Sequence, residues 1–136
     1  MSEHGTAEKM QIPKHGEICW NELSTTDPDV CKSFYNDLFG WEYKESDSTD
    51  MQYTEMTLGD GKQFGGMYKT PPEMANIPPN WMSYVSVDDI DASLAKAIDL
   101  GGNVIVPATD IPGTGRFGVI TDPTGAAIAM ITLCFG

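Results

Sequence analysis

The chain contains 136 residues, of which 40% are hydrophobic, and its 8 basic and 20 acidic residues give a formal net charge of −12. This length suits a single domain with an ordinary buried core. The excess of acidic residues, with the basic residues scattered singly, excludes nucleic acid as a partner, and no apolar run approaches the roughly 20 residues of a membrane-spanning helix.

The N-terminal segment, residues 1–15, is predicted to be a flexible lead-in. It has no basic start followed by an apolar stretch, so it lacks the pattern of a secretory signal. The cysteines are an odd number without CxxC spacing: Cys19, Cys31 and Cys134. This usage is typical of reduced, mostly buried thiols and predicts a soluble cytoplasmic protein without membrane contacts.

The first repeat, residues 16–70, opens with a predicted strand that ends at Asp27. Asp27, Pro28 and Asp29 then predict a helix start, because they supply an N-cap, a proline at the first helical position and an acid in the first turn. Gly40 is placed to end this helix. An apolar stripe with four-residue spacing follows the helix: Val30, Phe34 and Leu38.

Three short strands complete the first repeat, in the segments WEYKES, MQYTEMTL and KQFGGMYKT. The last two strands meet at Asp60-Gly61, which predicts a two-residue hairpin. Gly65 and Gly66 lack side chains, so this strand leaves room for a ligand or another backbone. The order of elements is βαβββ.

The second repeat, residues 81–133, follows the same plan. A strand in WMSYVSV leads to an Asp88-Asp89 cap and a helix that ends at Gly101-Gly102. Strands in NVIVPAT, RFGVIT and AAIAMITL complete it, and the last two are joined by Asp122-Pro123-Thr124-Gly125, whose order suits a type I turn. Two tandem βαβββ repeats predict an α+β fold.

The two repeats superpose at an offset of 62 when their helix caps are matched, whereas matching Trp20 with Trp81 gives 61. A one-residue slip moves every side chain of a strand to the other face. We prefer 62, because it turns Val85 and Val87 toward the helix. This register assigns to the opposite face the side chains of Trp20, Glu22, Ser24, Met82, Tyr84 and Ser86.

The strings FYNDLFGW, YVSVDDIDA and DIPGTGRFGVITDPTGA, set in two βαβββ repeats, resemble the vicinal oxygen chelate superfamily of glyoxalases, bleomycin resistance proteins and dioxygenases. Within it they resemble the glyoxalase-like branch that includes Cfp30B and proteins named hydroxylases. The resemblance covers residues 16–133 as one domain. It implies that the repeats form a curved, bowl-like mixed sheet with one helix outside each repeat.

Metal-binding members of this superfamily commonly place His on the first strand, His on the fifth and Glu on the last. These positions correspond to Trp20, Met82 and Ala129 in this chain. An indole, a thioether and a methyl group do not supply the donors of a catalytic divalent site. We therefore expect no metal ligands at these positions and no cofactor.

Three polar residues are candidates for catalysis. Glu22 lies on the predicted cavity face, where a desolvated carboxylate suits a general base or a partner for a cation. Tyr84 shares that face and has a hydroxyl to donate. Arg116 follows the loop IPGTG and suits a ligand carboxylate or carbonyl. The alternatives are a structural salt bridge for Glu22, core packing for Tyr84 and pairing with a neighbouring Asp for Arg116.

The predicted ligand-binding residues are mainly apolar or aromatic: Trp20, Met67, Trp81, Met82, Phe117 and Ala129. Such side chains suit a pocket for a planar or hydrophobic molecule. The same residue types are also common in protein cores. The sequence does not separate the two interpretations.

The resemblance, together with the missing ligands, implies a protein that binds a small, partly hydrophobic molecule without the usual metal. An enzyme of this kind would be a lyase or an oxidoreductase, but the sequence does not decide whether the chain is catalytic. One alternative is a metal-dependent lyase or dioxygenase with atypical ligands such as Glu22 and His15, and another is an interaction module without a ligand. We also expect a homodimer, because superfamily members pair subunits and the sheets leave edges to be covered.

Overall fold

A computed structural model of the chain describes residues 13–46, 53–74 and 76–134. Its elements follow the order β-α-β-β-β twice, with a short 3-10 turn at Pro72–Met74 between the repeats. The predicted α+β class and the tandem βαβββ order are therefore confirmed. Contacts divide the chain into a central unit, residues 20–84, and a terminal unit that contains the remaining residues.

The central unit contains the first helix and most of the first five strands. Its elements are β1 (Ile18–Thr25), α1 (Pro28–Phe39), β2 (Glu42–Ser46), β3 (Tyr53–Thr57), β4 (Gln63–Lys69) and β5 (Asn80–Ser86). The strands lie in the order β2-β3-β4-β1-β5. β1 and β4 are parallel, whereas β3 is antiparallel to both β2 and β4. β1 and β5 each continue into the terminal unit.

Helix α1 begins and ends where its cap residues predict. The Asp27 carboxylate accepts the backbone N–H of Val30 at 3.2 Å. Gly40 adopts the left-handed conformation, with φ of 79°, and donates its N–H to the carbonyl of Asn36. Local chemistry therefore fixes both ends of this helix.

The apolar stripe of α1 does not enter the core. Val30, Phe34 and Leu38 are all more than half exposed. Cys31 and Tyr35, one position further along, pack instead against a core of Leu23, Met56 and Met67. The helix is therefore rotated by about one residue relative to the predicted orientation, and Cys31 and Tyr35, one turn apart, cover the sheet.

The hairpin between β3 and β4 is longer than predicted. β3 ends at Thr57 and β4 begins at Gln63, so residues 58–62 form the loop. Gly59 and Gly61 both have positive φ, and Asp60 accepts the backbone N–H of Lys62 at 3.0 Å. The prediction of a two-residue turn was wrong because Gly59 adds a second left-handed position and Thr57 pairs with Gln63 across a bulge.

The terminal unit contains the second helix and the last three strands. Its elements are α2 (Ile90–Asp99), β6 (Asn103–Ile111), β7 (Gly115–Thr121) and β8 (Ala127–Leu133). The strands form an antiparallel sheet in the order β8-β7-β6. Asp89 caps α2 by accepting the N–H of Ala92 at 3.2 Å, and the chain turns at Gly101, with φ of 100°.

The core of the terminal unit confirms the predicted orientation of the valines. Val87 belongs to a buried cluster with Ile90, Leu94 and Met130, and Val85 packs against it. Both valines therefore face α2, as the offset of 62 requires. No helix in the described ranges is long and apolar enough to cross a membrane.

The Asp122–Gly125 connection is a tight turn. Gly125 donates its N–H to the Asp122 carbonyl at 2.9 Å, and the Asp122 carboxylate accepts the backbone N–H groups of Thr124 and Ala126. The hydrogen bond from the Thr124 hydroxyl, followed by these backbone bonds, lowers the pKa of Asp122. The turn thus directs β7 into β8 without any contribution from a ligand.

Candidate functional site

A hydrogen-bonded network surrounds Glu22 on β1. The Tyr53 hydroxyl donates to Glu22 Oε2 at 2.9 Å, and the Tyr84 hydroxyl donates to Glu22 Oε1 at 2.8 Å. The Trp20 indole N–H donates to the Tyr53 oxygen at 2.9 Å. Both carboxylate oxygens are therefore held in place by phenols, and an indole orients one of the phenols.

Strand register brings these groups to one face of the central sheet, which we call the Glu22 face. Glu22 on β1 lies beside Gly66 on β4, and Gly66 lies beside Glu55 on β3. Two residues along the same strands, Tyr53 lies beside Tyr68. Side chains of neighbouring residues in a register share a face. The Glu22 face carries Trp20, Glu22, Ser24, Tyr53, Glu55, Gly66, Tyr68, Met82 and Tyr84.

Gly66 makes the network possible. A Cβ at this position would collide with the hydroxyl and the ring of Tyr53. At Gly65 a Cβ would instead collide with the carbonyl oxygen of Asn21. The predicted close approach at these glycines is therefore made by the protein itself: the Tyr53 side chain approaches Gly66, and the Asn21 backbone approaches Gly65.

The electrostatics of Glu22 are dominated by burial. Desolvation raises the pKa of the Glu22 carboxyl, and the hydrogen bonds from Tyr84 and Tyr53 oppose this shift. Burial, followed by the adjacent Glu22 charge, raises the pKa of both tyrosines. The two phenols therefore stay protonated and act as donors, while Glu22 holds a proton more readily than an exposed carboxylate.

The rim of the Glu22 face is accessible. Trp20, Tyr53, Tyr68 and Met82 are only partly buried, whereas Tyr84 is 8% exposed. The arrangement offers aromatic and thioether surface around one carboxyl group. A pocket for a small molecule typically combines apolar surface with a few fixed polar groups in this way.

The network confirms the predicted register of the two first strands. Tyr84 contacts Glu22, and the Ser83 hydroxyl donates to the Asn21 side chain at 2.9 Å. The Glu22–Tyr84 contact lies on one face of the sheet, and strand alternation places the Asn21–Ser83 contact on the other. Glu22 and Tyr84 are therefore brought together on the face to which the sequence assigned them.

Two predicted ligand-binding residues of the central unit lie elsewhere. Met67 is 0% exposed and belongs to the core under α1. Trp81 is 42% exposed, and its ring contacts Tyr35 and Trp41 on the helix side of the sheet. Strand alternation explains both positions, because Met67 follows Gly66 and Trp81 precedes Met82 on the opposite face.

The remaining predicted residues belong to the terminal unit. The Arg116 guanidinium donates two hydrogen bonds to the Asp91 carboxylate, each 3.1 Å long, and a third to the Asp110 carboxylate at 3.0 Å. These bonds favour pairing with neighbouring Asp residues, and they raise the pKa of the guanidinium. Phe117 is partly buried, and Ala129 is 0% exposed on β8.

Tyr53 and Tyr68 were missed by the sequence reasoning. Each follows the alternation of a short strand, and each looks like an ordinary half-buried aromatic residue. The available signal was the pairing of MQYTEMTL with KQFGGMYKT, which places Tyr53 over a glycine that cannot fill the space. Only the register, which the longer loop changes, identifies that glycine as Gly66.

An open groove of about 270 Å³ also lies in the terminal unit, beside the start of α2. It is lined by His15, Asp88, Asp89, Ala92, Ser93 and Lys96. Its main polar groups already have partners, since His15 Nδ1 accepts the Asp88 N–H at 3.0 Å and Asp89 caps the helix. We place the candidate site at Glu22 because the groove is explained by helix capping.

The donor groups do not fit the divalent ion that the superfamily commonly binds. Trp20, Met82 and Ala129 provide no oxygen or imidazole donor. Across the described ranges, no three His, Cys, Asp or Glu side chains come together to hold a metal ion.

The order of elements and the Glu22 face define a two-repeat βαβββ protein with a candidate binding surface on its sheet. Residues 18–130 match the sequence profile of the Glyoxalase/Bleomycin resistance protein/Dioxygenase superfamily. The chain belongs to this superfamily.

Curated relatives are moderately similar in sequence. A candidate glyoxylase of Mycobacterium bovis, CFP32, is 39% identical over 120 residues, which cover 86% of this chain and 46% of that protein. The anthracycline biosynthesis protein DnrV of Streptomyces peucetius is 34% identical over 128 residues, which cover 85% of this chain and 46% of that protein. The chain thus spans less than half the length of these relatives.

Solved structures share the fold. A methylmalonyl-CoA epimerase from Mycobacterium tuberculosis superposes with a TM-score of 0.60 over 93% of this chain and 95% of that chain, at 16% identity. An epimerase from Streptomyces coelicolor gives a TM-score of 0.61 over 88% and 98%, also at 16% identity. At this identity the similarity concerns the fold alone.

Proposed function

We propose that the chain binds a small, partly hydrophobic molecule on the Glu22 face, and that it does so without the catalytic metal usual in its superfamily. The observation that carries the proposal is the carboxyl of Glu22, fixed by Tyr53 and Tyr84 within an accessible aromatic surface. A carboxylate has about four lone-pair sites, and the tyrosines use two of them. The remaining sites favour a ligand with a hydrogen-bond donor next to an apolar body.

The relatives support a small-molecule role. One is named as a candidate glyoxylase and another as an anthracycline biosynthesis protein. Both names refer to the chemistry of small organic molecules. The same face suits proton transfer, because a carboxyl with a raised pKa is a better acid or base near neutral pH than an exposed one. Binding is the part of the function that we propose.

A thermal-shift screen tests this function. A molecule that binds only the native state raises the melting temperature, by an amount set by its concentration relative to Kd. We expect at least one compound from a panel of metabolites and antibiotics to stabilise the parent protein, and Glu22→Gln to reduce that shift. Glu42→Gln is the matched control, since Glu42 is exposed on the edge strand β2. The absence of any stabilising compound would contradict the proposal.

Metal analysis tests the second half of the proposal. Protein purified without chelator should contain no stoichiometric Ni, Zn, Mn or Fe. Stoichiometric metal that survives dialysis would refute the metal-free function and favour a lyase or dioxygenase with atypical ligands.

We further propose that the chain forms a homodimer in the cytoplasm. The exposed stripe of α1, comprising Val30, Phe34 and Leu38, is apolar surface of the kind that subunit pairing covers. Cys19, Cys31 and Cys134 are all free thiols, but the expected burial is not found, because Cys19 and Cys31 are only partly buried and Cys134 is exposed. Sedimentation at micromolar concentration should show a species of twice 14.8 kDa, and a species at that single mass would contradict the pairing.

A further inference from the structure

Glu22 has no basic partner in the part of the chain that the structure describes. Its bonds are those from the two phenols, and no described lysine, arginine or histidine forms an ion pair with it. A desolvated carboxylate without a counter-charge is unfavourable, and an added cation relieves that cost. The network orients the carboxyl without neutralising it.

The row of residues across the sheet shows where the neighbouring charges lie. Glu22, Gly66, Glu55 and Lys44 follow one another on β1, β4, β3 and β2. With strands about 4.8 Å apart, Glu55 lies roughly 10 Å and Lys44 roughly 14 Å from Glu22 along the sheet. The nearer of these two charges is negative, so the surroundings of Glu22 favour a positive ligand group.

We propose that the ligand of this face carries a protonated amine, and that its ammonium group pairs with the Glu22 carboxylate. The inference rests on the proposed binding function and names the chemical class of its ligand. An ammonium group has three donors and no acceptor, which complements the lone pairs that Tyr53 and Tyr84 leave on the carboxylate.

The surroundings of the carboxyl fit an ammonium group better than a neutral or an anionic one. The partly buried rings of Trp20, Tyr53 and Tyr68 lie on the same face, and aromatic rings attract cations. Residues 20–84 contain eleven acidic and four basic side chains, which attracts cations and repels anions. A neutral alcohol satisfies the same lone pairs without offsetting the buried charge.

Calorimetric titration with two matched probes tests the inference. The probes are 2-(2-naphthyl)ethylamine and 2-(2-naphthyl)ethanol, which share the aromatic body and differ in the charged group. We expect the parent protein to bind the amine at least about tenfold more tightly than the alcohol, the preference that a hydrogen bond to a charged group provides. Glu22→Gln should reduce this preference to within about twofold, while Glu42→Gln keeps it.

A pH series on the parent protein gives an independent readout that needs no variant. Because a cation favours the ionised carboxyl, amine affinity should rise as the pH increases through the raised pKa of Glu22, with release of a proton. Alcohol affinity should not rise. Equal affinity for the two probes, or an amine preference that survives Glu22→Gln, would overturn the inference while leaving the proposed function in place. Failure of both probes, together with failure of the compound panel, would overturn both.

Discussion

Gly66→Ala is the substitution that most directly tests how the site is built. The new Cβ would occupy the space of the Tyr53 hydroxyl and ring. The ring must then move, which breaks its bonds to Glu22 and Trp20. Overpacking costs about 1–3 kcal/mol, and a lost bond to a charged group costs about 1.5–3 kcal/mol. Since the two costs partly replace each other, we expect the free energy of unfolding to fall by about 3 kcal/mol.

Urea unfolding followed by far-UV circular dichroism measures this loss, which corresponds to a fall in Tm of roughly 10 °C for a domain of this size. The control is the same substitution in a Tyr53→Ala background. There the obstructing ring is absent, so Gly66→Ala should be neutral or stabilise by about 0.5–1 kcal/mol through its effect on backbone entropy. A loss below about 1 kcal/mol in the parent, or an equal loss in both backgrounds, would refute the account of the Glu22 network.

Three further predictions concern charge and capping. The native state holds the Glu22 proton to a higher pH than the unfolded chain does, so the free energy of unfolding should fall as the pH rises from about 4.5 through the raised pKa. Urea titrations at several pH values measure this slope, and Glu22→Gln should flatten it. An unchanged slope in the variant would contradict the role of Glu22 in this pH dependence. Asp89→Ala should cost about 1 kcal/mol by removing the N-cap of α2, whereas Asp89→Asn should restore most of that stability. Arg116→Ala should lower Tm slightly in low salt and have no effect in 1 M salt, because its ion pairs are exposed; a large loss that persists in salt would indicate another role.

The parts of the fold that depend on local chemistry were predictable from the sequence. Asp27 and Asp89 cap their helices, and Gly40 takes the left-handed conformation that ends α1. Val87 faces α2 because β-branched residues in a half-buried strand follow the helix side. In each case a few neighbouring residues decide the outcome, so no long-range information was needed.

The parts that depend on pairing between distant segments were less predictable. The sequence placed Glu22 and Tyr84 on one face, and the repeat offset was sufficient for this. It did not identify Tyr53, because that residue reaches Glu22 through a register set by the 58–62 loop and by the space over Gly66. The orientation of α1 has the same origin, since the choice between Phe34 and Tyr35 as the residue that faces the sheet depends on the strands beneath the helix.

The three tryptophans of the chain report on different surfaces of the central unit. Trp20 donates its indole N–H on the Glu22 face, whereas Trp41 and Trp81 lie with ring centroids 6.0 Å apart on the helix side. A Trp41→Phe, Trp81→Phe variant would therefore have a single emitter beside the proposed ligand. Its fluorescence wavelength should follow occupancy of the face, and the near-ultraviolet dichroism of the native Trp41–Trp81 pair should follow the helix side separately. The variant and the native protein together thus provide two optical signals, one for each side of the same sheet.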